Sequence, residues 1–430
     1  GMVQAGSDPR LTRSAMSPTP SIPLADWFHR TVDWPDVVLP AYAGGSVANL
    51  PSSILRAYGA PTTAEPLLPP LDARLLPPDL LDGARVVILI VIDGLSAAAL
   101  ERDGLDFDDM APAVVRSITS VFPSTTAAAL TSLHYGASPA THGMVGYTVF
   151  LPVVGRVVNL VRFKPVDGST ADPKHLDPRA IVALPSVFDR LRDAGVDSVV
   201  VSHQEYARSP LTLAQSGDTA FAGHRTPAEL ATRLLEAARR QGRRFIFGYW
   251  AGIDMLAHTW GPDSDAVRLD LRLLQRALID GVLRPLADSS DDIAVLLTAD
   301  HGHTAIGIDR QTPLADLARV VGSWATPPTG ERRAVGLGTS AGGRAALEAA
   351  VAGSGVVITV ADAMLHGLFG PPPHHPELLA RVGDLLLLAK SGASFPYREH
   401  GDDRPHAPGA HGSLTSDEML VPLLGWRFGS

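Results

Sequence analysis

The chain has 430 residues, of which 45% are hydrophobic and 19% are charged, and its formal net charge at pH 7 is −9. This length allows one large α/β domain with insertions or two domains, and the acidic balance argues against nucleic acid as a partner. The absence of cysteine excludes disulfides and thiolate metal sites, which leaves His, Asp and Glu as metal ligands. Because no apolar run could cross a membrane and no apolar signal core is seen, we expect a soluble, cytoplasmic protein without a membrane partner.

Residues 1–80 are rich in Pro, Gly and Ala, which predicts an irregular segment wrapped over the surface, with one short helix over Ser52–Tyr58. Residues 81–311 alternate apolar runs with amphipathic segments, and this alternation predicts a doubly wound, mostly parallel sheet with helices on both faces. The predicted strands are Val86–Ile92, Ser198–Ser202, Phe245–Trp250 and Ile293–Thr298. The predicted helices are Leu184–Ala194, Thr226–Gln241 and Ser264–Leu286.

The regular alternation ends near residue 311. Short strand and helix patterns over residues 312–395 predict a small inserted α+β cap, and insertions of this kind commonly select the substrate. Residues 396–430 regain an apolar strand pattern at Met419–Leu424, so we expect them to return to the core sheet. The segment Val149–Lys164 has the pattern of a hairpin and is expected to form a flap near the site.

Carboxylates and imidazoles follow several of the predicted core elements. The residues are Asp93, Asp254, His258, Asp300, His301 and His411. Asp254 and His258 are four residues apart and would share one face of a helix. Strand carboxyl ends are where open α/β sheets place their ligands, and oxygen with imidazole ligands suits Zn²⁺ or Mn²⁺ in a catalytic site. Each residue alone also has an ordinary structural role open to it; Asp93, for example, could cap a helix that starts near Ser96.

A hydroxyl-rich segment, Ser124-Thr125-Thr126, precedes the predicted helix Ala127–Leu133. Such residues commonly cap helix N-termini, and that is one interpretation. The other is a nucleophile, because a helix N-terminus attracts anions through its free N–H groups and its dipole. A hydroxyl placed there could attack a bound phosphoryl group.

Together these motifs resemble the alkaline phosphatase superfamily, most closely its type I phosphodiesterase/nucleotide pyrophosphatase branch. The matching pieces are Ile92-Asp93-Gly94, Ser124-Thr125-Thr126, His142-Gly143, Gly252–His258, Ala299–Gly302 and Ala410-His411-Gly412. The resemblance implies an alkaline phosphatase-like fold with two divalent ions, for which Zn²⁺ is the expected metal. It implies that one ion is held by Asp254, His258 and His411, and that the other is held by Asp93, Asp300, His301 and the nucleophile oxygen.

The nucleophile implied by the resemblance is a threonine at a helix start. Counting back without a gap from His142 reaches Thr126, with Thr125 as the near alternative. The branch usually has Phe-Pro after its nucleophile, whereas here Phe122-Pro123 precedes it. The branch also has an Asn five residues after the His of its His-Gly pair; this chain has Tyr147 there, which we predict to bind substrate.

The activity implied is hydrolysis of a phosphodiester or nucleotide pyrophosphate-like substrate through a phospho-threonine intermediate. The partner would be a small phosphorylated molecule, with a nucleotide as one candidate. Two alternatives remain. A phosphomonoesterase or phosphonate hydrolase would use the same scaffold, and a metal-binding pseudo-enzyme would keep the ligands without turnover.

Overall fold

The computed structural model describes residues 22–103, 107–169, 176–339, 343–397 and 407–429. Its strands are β1 (Val86–Ile92), β2 (Val114–Thr119), β3 (Thr148–Leu151), β4 (Arg156–Asn159), β5 (Lys164–Pro165), β6 (Asp197–His203), β7 (Ala220–His224), β8 (Arg244–Trp250), β9 (Ile293–Thr298), β10 (Thr304–Ala305), β11 (Trp324–Glu331), β12 (Ala334–Thr339), β13 (Gly355–Thr359), β14 (Leu385–Ala389), β15 (Gly409–Ala410) and β16 (Leu420–Phe428).

The helices along the described chain are α1 (Leu24–Thr31), α2 (Leu50–Ala57), α3 (Ala97–Asp103), α4 (Thr126–Tyr135), α5 (Pro139–His142), α6 (Val187–Asp193), α7 (Pro210–Ser216), α8 (Pro227–Ala238), α9 (Gly252–Trp260), α10 (Asp265–Leu278), α11 (Arg284–Ala287), α12 (Leu314–Val321), α13 (Gly343–Val351), α14 (Val360–Leu365), α15 (Leu378–Val382) and α16 (Ser416–Met419). A π-helical turn joins α10 to α11. Among these helices, none has the length and apolar character needed to cross a bilayer.

A seven-stranded sheet in the order β2-β16-β9-β1-β8-β6-β7 forms the centre of the fold. The five strands from β9 to β7 are parallel, whereas β16 runs antiparallel between β9 and β2. Every residue of β1 and β9 is buried, so both faces of the sheet are covered, which explains why these strands are continuous apolar runs. The predicted α/β fold with a mostly parallel sheet is confirmed.

Within the described part of the N-terminal segment, helix α2 packs more deeply than a surface wrap. Leu50, Ile54 and Leu55 of α2 are at most 1% exposed and belong to the hydrophobic core around the central sheet. A helix was predicted here, over Ser52–Tyr58, but its burial was not, because the prolines and glycines on either side of it interrupt any longer helical or strand period.

A second, antiparallel sheet has the order β13-β14-β12-β11-β3-β4-β5. Most of its strands come from residues 324–389, which lie within the predicted insertion. The remaining three come from residues 148–165, so the predicted hairpin is part of this sheet and joins β11 through the pair Gly330–Thr148. The C-terminal strand β16 lies in the central sheet.

Candidate active site

The six predicted ligand residues lie together at one edge of the central sheet. Asp93 directly follows β1 and Asp300 and His301 closely follow β9, and because these strands are parallel neighbours their carboxyl ends meet. Asp254 and His258 lie on α9, which begins two residues after β8. His411 directly follows β15. The ligand atoms form two groups, each with all members within 4.8 Å of one another: Asp93, Asp300 and His301 in the first, and Asp254, His258, His303 and His411 in the second.

The three residues of the first group are buried. The Nε2 atom of His301 lies 3.3 Å from Asp93 Oδ1 and 3.5 Å from Asp300 Oδ2. Those two carboxylate oxygens are buried and have no hydrogen-bond partner among the described residues. Burial, and then repulsion from Asp300 and Asp254, raises the pKa of Asp93 well above its ordinary value. A divalent cation would satisfy both oxygens, since buried charges need a partner.

The other oxygens of the first group are already bonded, which fixes the two carboxylates. Asp300 Oδ1 accepts hydrogen bonds from the backbone N–H of Gly94 at 3.2 Å and of His301 at 2.9 Å. The Tyr249 hydroxyl donates to Asp93 Oδ2. Each carboxylate therefore presents one free oxygen to the same small space.

The second group is arranged around one carboxylate oxygen. Asp254 Oδ1 lies 2.6 Å from His303 Nε2, 3.4 Å from His258 Nε2 and 3.6 Å from His411 Nε2. The Nε2 atoms of His258 and His411 are 3.2 Å apart. Side-chain nitrogen atoms that face one another this closely are stabilised by a shared cation or proton.

The outer ring nitrogens hold the imidazoles in the form that binds metal. The Nδ1–H groups of His258, His301 and His411 face the carbonyl oxygens of residues 409, 302 and 124 at 2.9–3.1 Å. Each Nε2 lone pair then points into the site. Burial lowers the pKa of His258 to about 4 and that of His411 well below its usual value, which keeps these two rings neutral.

Gly94 allows the two groups to approach. It has φ +77°, and a Cβ at this position would lie 2.9 Å from His303 Cδ2 and 3.0 Å from Asp254 Cα. A side chain here would be strained and would push α9 away from β1. Close packing therefore explains why a glycine follows Asp93 in the sequence motif.

Thr126 and Thr125 have different surroundings at the start of α4. Thr126 is the first residue of the helix, and its Oγ1 lies 3.1 Å from His301 Nε2, beside the first group. Thr125 is the N-cap residue, but its side chain does not cap the helix. Its Oγ1 donates instead to Glu331 Oε1 at 2.5 Å. Of the two predicted alternatives, Thr126 is the one whose hydroxyl contacts the ligand cluster.

A cavity of about 620 Å³ opens beside both groups. Its lining includes Asp93, Thr126, Asp254, His258, His411 and the predicted substrate residue Tyr147. Apolar and aromatic side chains complete the wall: Leu130, Val161, Val200, Tyr206, Leu211, Phe247, Met255 and Phe395. Pockets of this size and character bind small organic molecules.

Two residues of the site were missed from the sequence. His303 stands two positions after His301 and could have been suspected from that short spacing. Glu331 ends β11 in the second sheet, and no motif in the sequence points to it. Burial raises the pKa of Glu331 to about 7, which sets it apart from a surface glutamate.

The fold and the clustered ligands define an alkaline phosphatase-like protein of the class that hydrolyses phosphoesters. The family model for type I phosphodiesterase/nucleotide pyrophosphatase matches residues 87–414, and the chain therefore belongs to this family. The resemblance inferred from the motifs is confirmed. A search of curated proteins finds no match.

Solved structures of related proteins share the fold at low sequence identity. Murine ectonucleotide pyrophosphatase/phosphodiesterase 5 has a TM-score of 0.56 at 16% identity, covering 80% of this chain and 88% of that one. An inactive threonine-to-alanine variant of the same protein, in complex with AMP, has equal TM-score and identity and covers 80% and 87%. Phosphonoacetate hydrolase from Sinorhizobium meliloti, in complex with phosphonoacetate, has a TM-score of 0.57 at 19% identity, covering 80% and 90%.

Proposed function

We propose that the protein is a zinc-dependent phosphodiesterase that acts through Thr126, with nucleotide pyrophosphate-like molecules among its candidate substrates. One observation carries the proposal: the Thr126 hydroxyl lies 3.1 Å from His301, in a site where buried carboxylate oxygens lack partners among the described residues. Membership of the type I phosphodiesterase/nucleotide pyrophosphatase family supports the reaction class. The predicted cytoplasmic location remains part of this proposal.

Two divalent ions fit the donor set. Asp93, Asp300 and His301 would hold one ion and Asp254, His258 and His411 the other, and every donor is a carboxylate oxygen or an imidazole nitrogen. When bound, the ions would supply Lewis-acid activation of the hydroxyl and of the phosphoryl oxygens.

The chain itself supplies the nucleophile and its orientation. Thr126 is fixed by its place in the first turn of α4, so its oxygen can attack phosphorus while the alcohol or phosphate leaving group departs. The new Thr126–phosphorus ester is then hydrolysed, which restores the hydroxyl. N–H groups at the start of α4 are suited to bind phosphoryl oxygens. The inactive threonine variant of the murine neighbour is in keeping with a threonine nucleophile.

The cavity supports a substrate with an organic substituent on phosphorus. Its apolar wall and Tyr147 would contact that substituent, and Tyr147 could donate one hydrogen bond. Hydrolysis of a phosphonate is the second candidate, favoured by the likeness to a phosphonoacetate hydrolase.

Metal loading followed by turnover assays tests the proposal. The purified chain would be stripped with a chelator, reloaded with zinc and measured by elemental analysis, and about two equivalents are expected from the two ligand groups. Initial rates on bis(p-nitrophenyl) phosphate, p-nitrophenyl phosphate and phosphonoacetate then rank the substrates, with the stripped protein as control. Failure to bind any divalent ion would refute the metal site. Bound zinc without turnover of any of the three substrates would favour a pseudo-enzyme.

A further inference from the structure

A carboxyl group from the second sheet reaches the candidate site. Glu331 is the last residue of β11 and lines the cavity together with Arg332. It accepts a hydrogen bond from Thr125 Oγ1 at 2.5 Å. Thr125 directly precedes Thr126, so the Glu331 carboxyl is hydrogen-bonded to the residue next to the proposed nucleophile.

Strands β11 and β12 form the hairpin that carries Glu331, and this hairpin is held on both sides. Gly330 pairs with Thr148 of β3, whose Oγ1 also donates to the Gly330 carbonyl at 3.2 Å. On the other side lies Gly412, next to His411; it has φ +123°, and a Cβ there would be 2.9 Å from the Glu331 Cβ. Arg333, two residues after Glu331, is fully buried in an ion pair with Glu418. Glu331 therefore has little freedom to turn away from the site.

Charge distinguishes the substrates that this arrangement admits. Two divalent ions would carry four positive charges and Arg332, which also lines the cavity, carries a fifth. The carboxylates of Asp93, Asp254 and Asp300 would cancel three of them. An ionised Glu331 would cancel a fourth and leave one positive charge, which a monoanion balances and a dianion exceeds. Burial, with the nearby Asp254, raises the pKa of Glu331 to about 7, against the hydrogen bond from Thr125 and the nearby His301 and Arg332, which lower it; the assays are therefore run at pH 9, above that value. A phosphodiester brings one negative charge and a phosphomonoester brings two, and like charges repel strongly in a buried site.

Resting on the proposed phosphodiesterase function, we propose that Glu331 is a specificity-determining residue that disfavours phosphomonoester dianions and so directs the site toward monoanionic phosphodiesters. The group acts on the substrate oxygens through its charge and takes no part in bond making.

The test compares Glu331→Gln, which removes the charge at nearly constant shape, with Glu331→Asp, which keeps it. The zinc-loaded full chain is assayed at pH 9 on p-nitrophenyl phosphate and bis(p-nitrophenyl) phosphate. For Glu331→Gln we expect the ratio of monoester to diester kcat/KM to rise at least about tenfold, because one like charge is removed near the phosphoryl group. For Glu331→Asp the ratio should stay within about threefold of wild type, because the charge is retained.

Binding of inorganic phosphate, measured by calorimetry on the same zinc-loaded proteins, gives a second measurement that needs no turnover. Phosphate is mostly a dianion at pH 9, so its affinity should rise about tenfold in Glu331→Gln. An unchanged substrate ratio together with unchanged phosphate affinity would overturn this inference and leave the proposed function standing. An equal loss of both activities would also overturn it, since that is the result of a merely structural role. Zinc-loaded wild type that hydrolyses neither ester would overturn the proposed function, and this inference with it.

Discussion

His303 is the residue whose replacement best tests the second ligand group. Its Nε2 lies 2.6 Å from Asp254 Oδ1 and its side chain is 1% exposed, while its Nδ1 is buried without a partner in the described part of the chain. The ring therefore has one strong contact, and that contact holds a proposed metal ligand. We predict that His303→Ala weakens zinc binding at the Asp254 group.

The expected loss of zinc affinity in His303→Ala can be estimated from this single contact. A hydrogen bond to a charged group contributes about 1.5–3 kcal/mol, and loss of a residue that orients a metal ligand typically costs about 10–100-fold in affinity, or roughly 1.4–2.7 kcal/mol. The two estimates agree. His303→Gln keeps a side-chain N–H donor for Asp254 and should recover much of the affinity.

The assay is competition for zinc between the metal-free protein and a chromogenic chelator, with occupancy checked by elemental analysis. His366 provides a control, because it is a half-buried ring, stacked on Trp27 with centroids 4.6 Å apart, and it is in neither ligand group. His366→Ala should leave zinc affinity unchanged. If His303→Ala binds two equivalents of zinc with affinities within about twofold of wild type, the reasoning from the Asp254 contact is wrong. If Ala and Gln variants both lose one full equivalent, His303 is a direct ligand.

Three further predictions concern the nucleophile, a buried ion pair and a buried histidine. Thr126→Ala should lower diester turnover by several orders of magnitude with zinc content unchanged, whereas Thr125→Ala should be far milder; the reverse order would assign the nucleophile to Thr125. Arg333→Met should lower the unfolding free energy by about 3–5 kcal/mol, because it leaves Glu418 buried and unpaired; urea unfolding showing less than about 1 kcal/mol would contradict this. Burial lowers the pKa of His134 to about 4, so its neutral form contributes stability above pH 6.5 that is lost as pH falls toward 4. His134→Gln should remove about 3 kcal/mol of that pH dependence, and an unchanged profile would count against it.

The parallel core could be predicted because its strands are buried on both faces. Val86–Ile92 has the same bounds in the sequence prediction and in β1, and Ile293–Thr298 has the same bounds as β9. A short, continuous run of β-branched and apolar residues strongly favours a strand that is covered on both sides. Because the strands are parallel, their carboxyl ends lie at the same end of the sheet. Ligands that follow a strand could therefore be found as a set.

The second sheet was harder to predict from the sequence, and the reason is local. Strand β11 contains two consecutive prolines, Pro327 and Pro328, which are unfavourable in the interior of a sheet. The structure accommodates them with register shifts between β11 and β12 at Trp324, Thr326 and Thr329. An alternating apolar pattern cannot survive such irregularities, so neither β11 nor its terminal Glu331 could be read from the sequence.

The buried pair Arg333–Glu418 links the two parts of the site that the sequence leaves separate. Arg333 follows Glu331 by two residues, and its guanidinium donates to Glu418 at 2.6 Å. Glu418 in turn accepts a hydrogen bond from the backbone N–H of Ser413 at 2.7 Å, two residues after His411. One network thus fixes both the hairpin that carries the proposed specificity residue and the loop that carries a proposed zinc ligand. Removing either partner would weaken the anchoring of both segments, because the ion pair is fully buried and leaving one partner unpaired is costly.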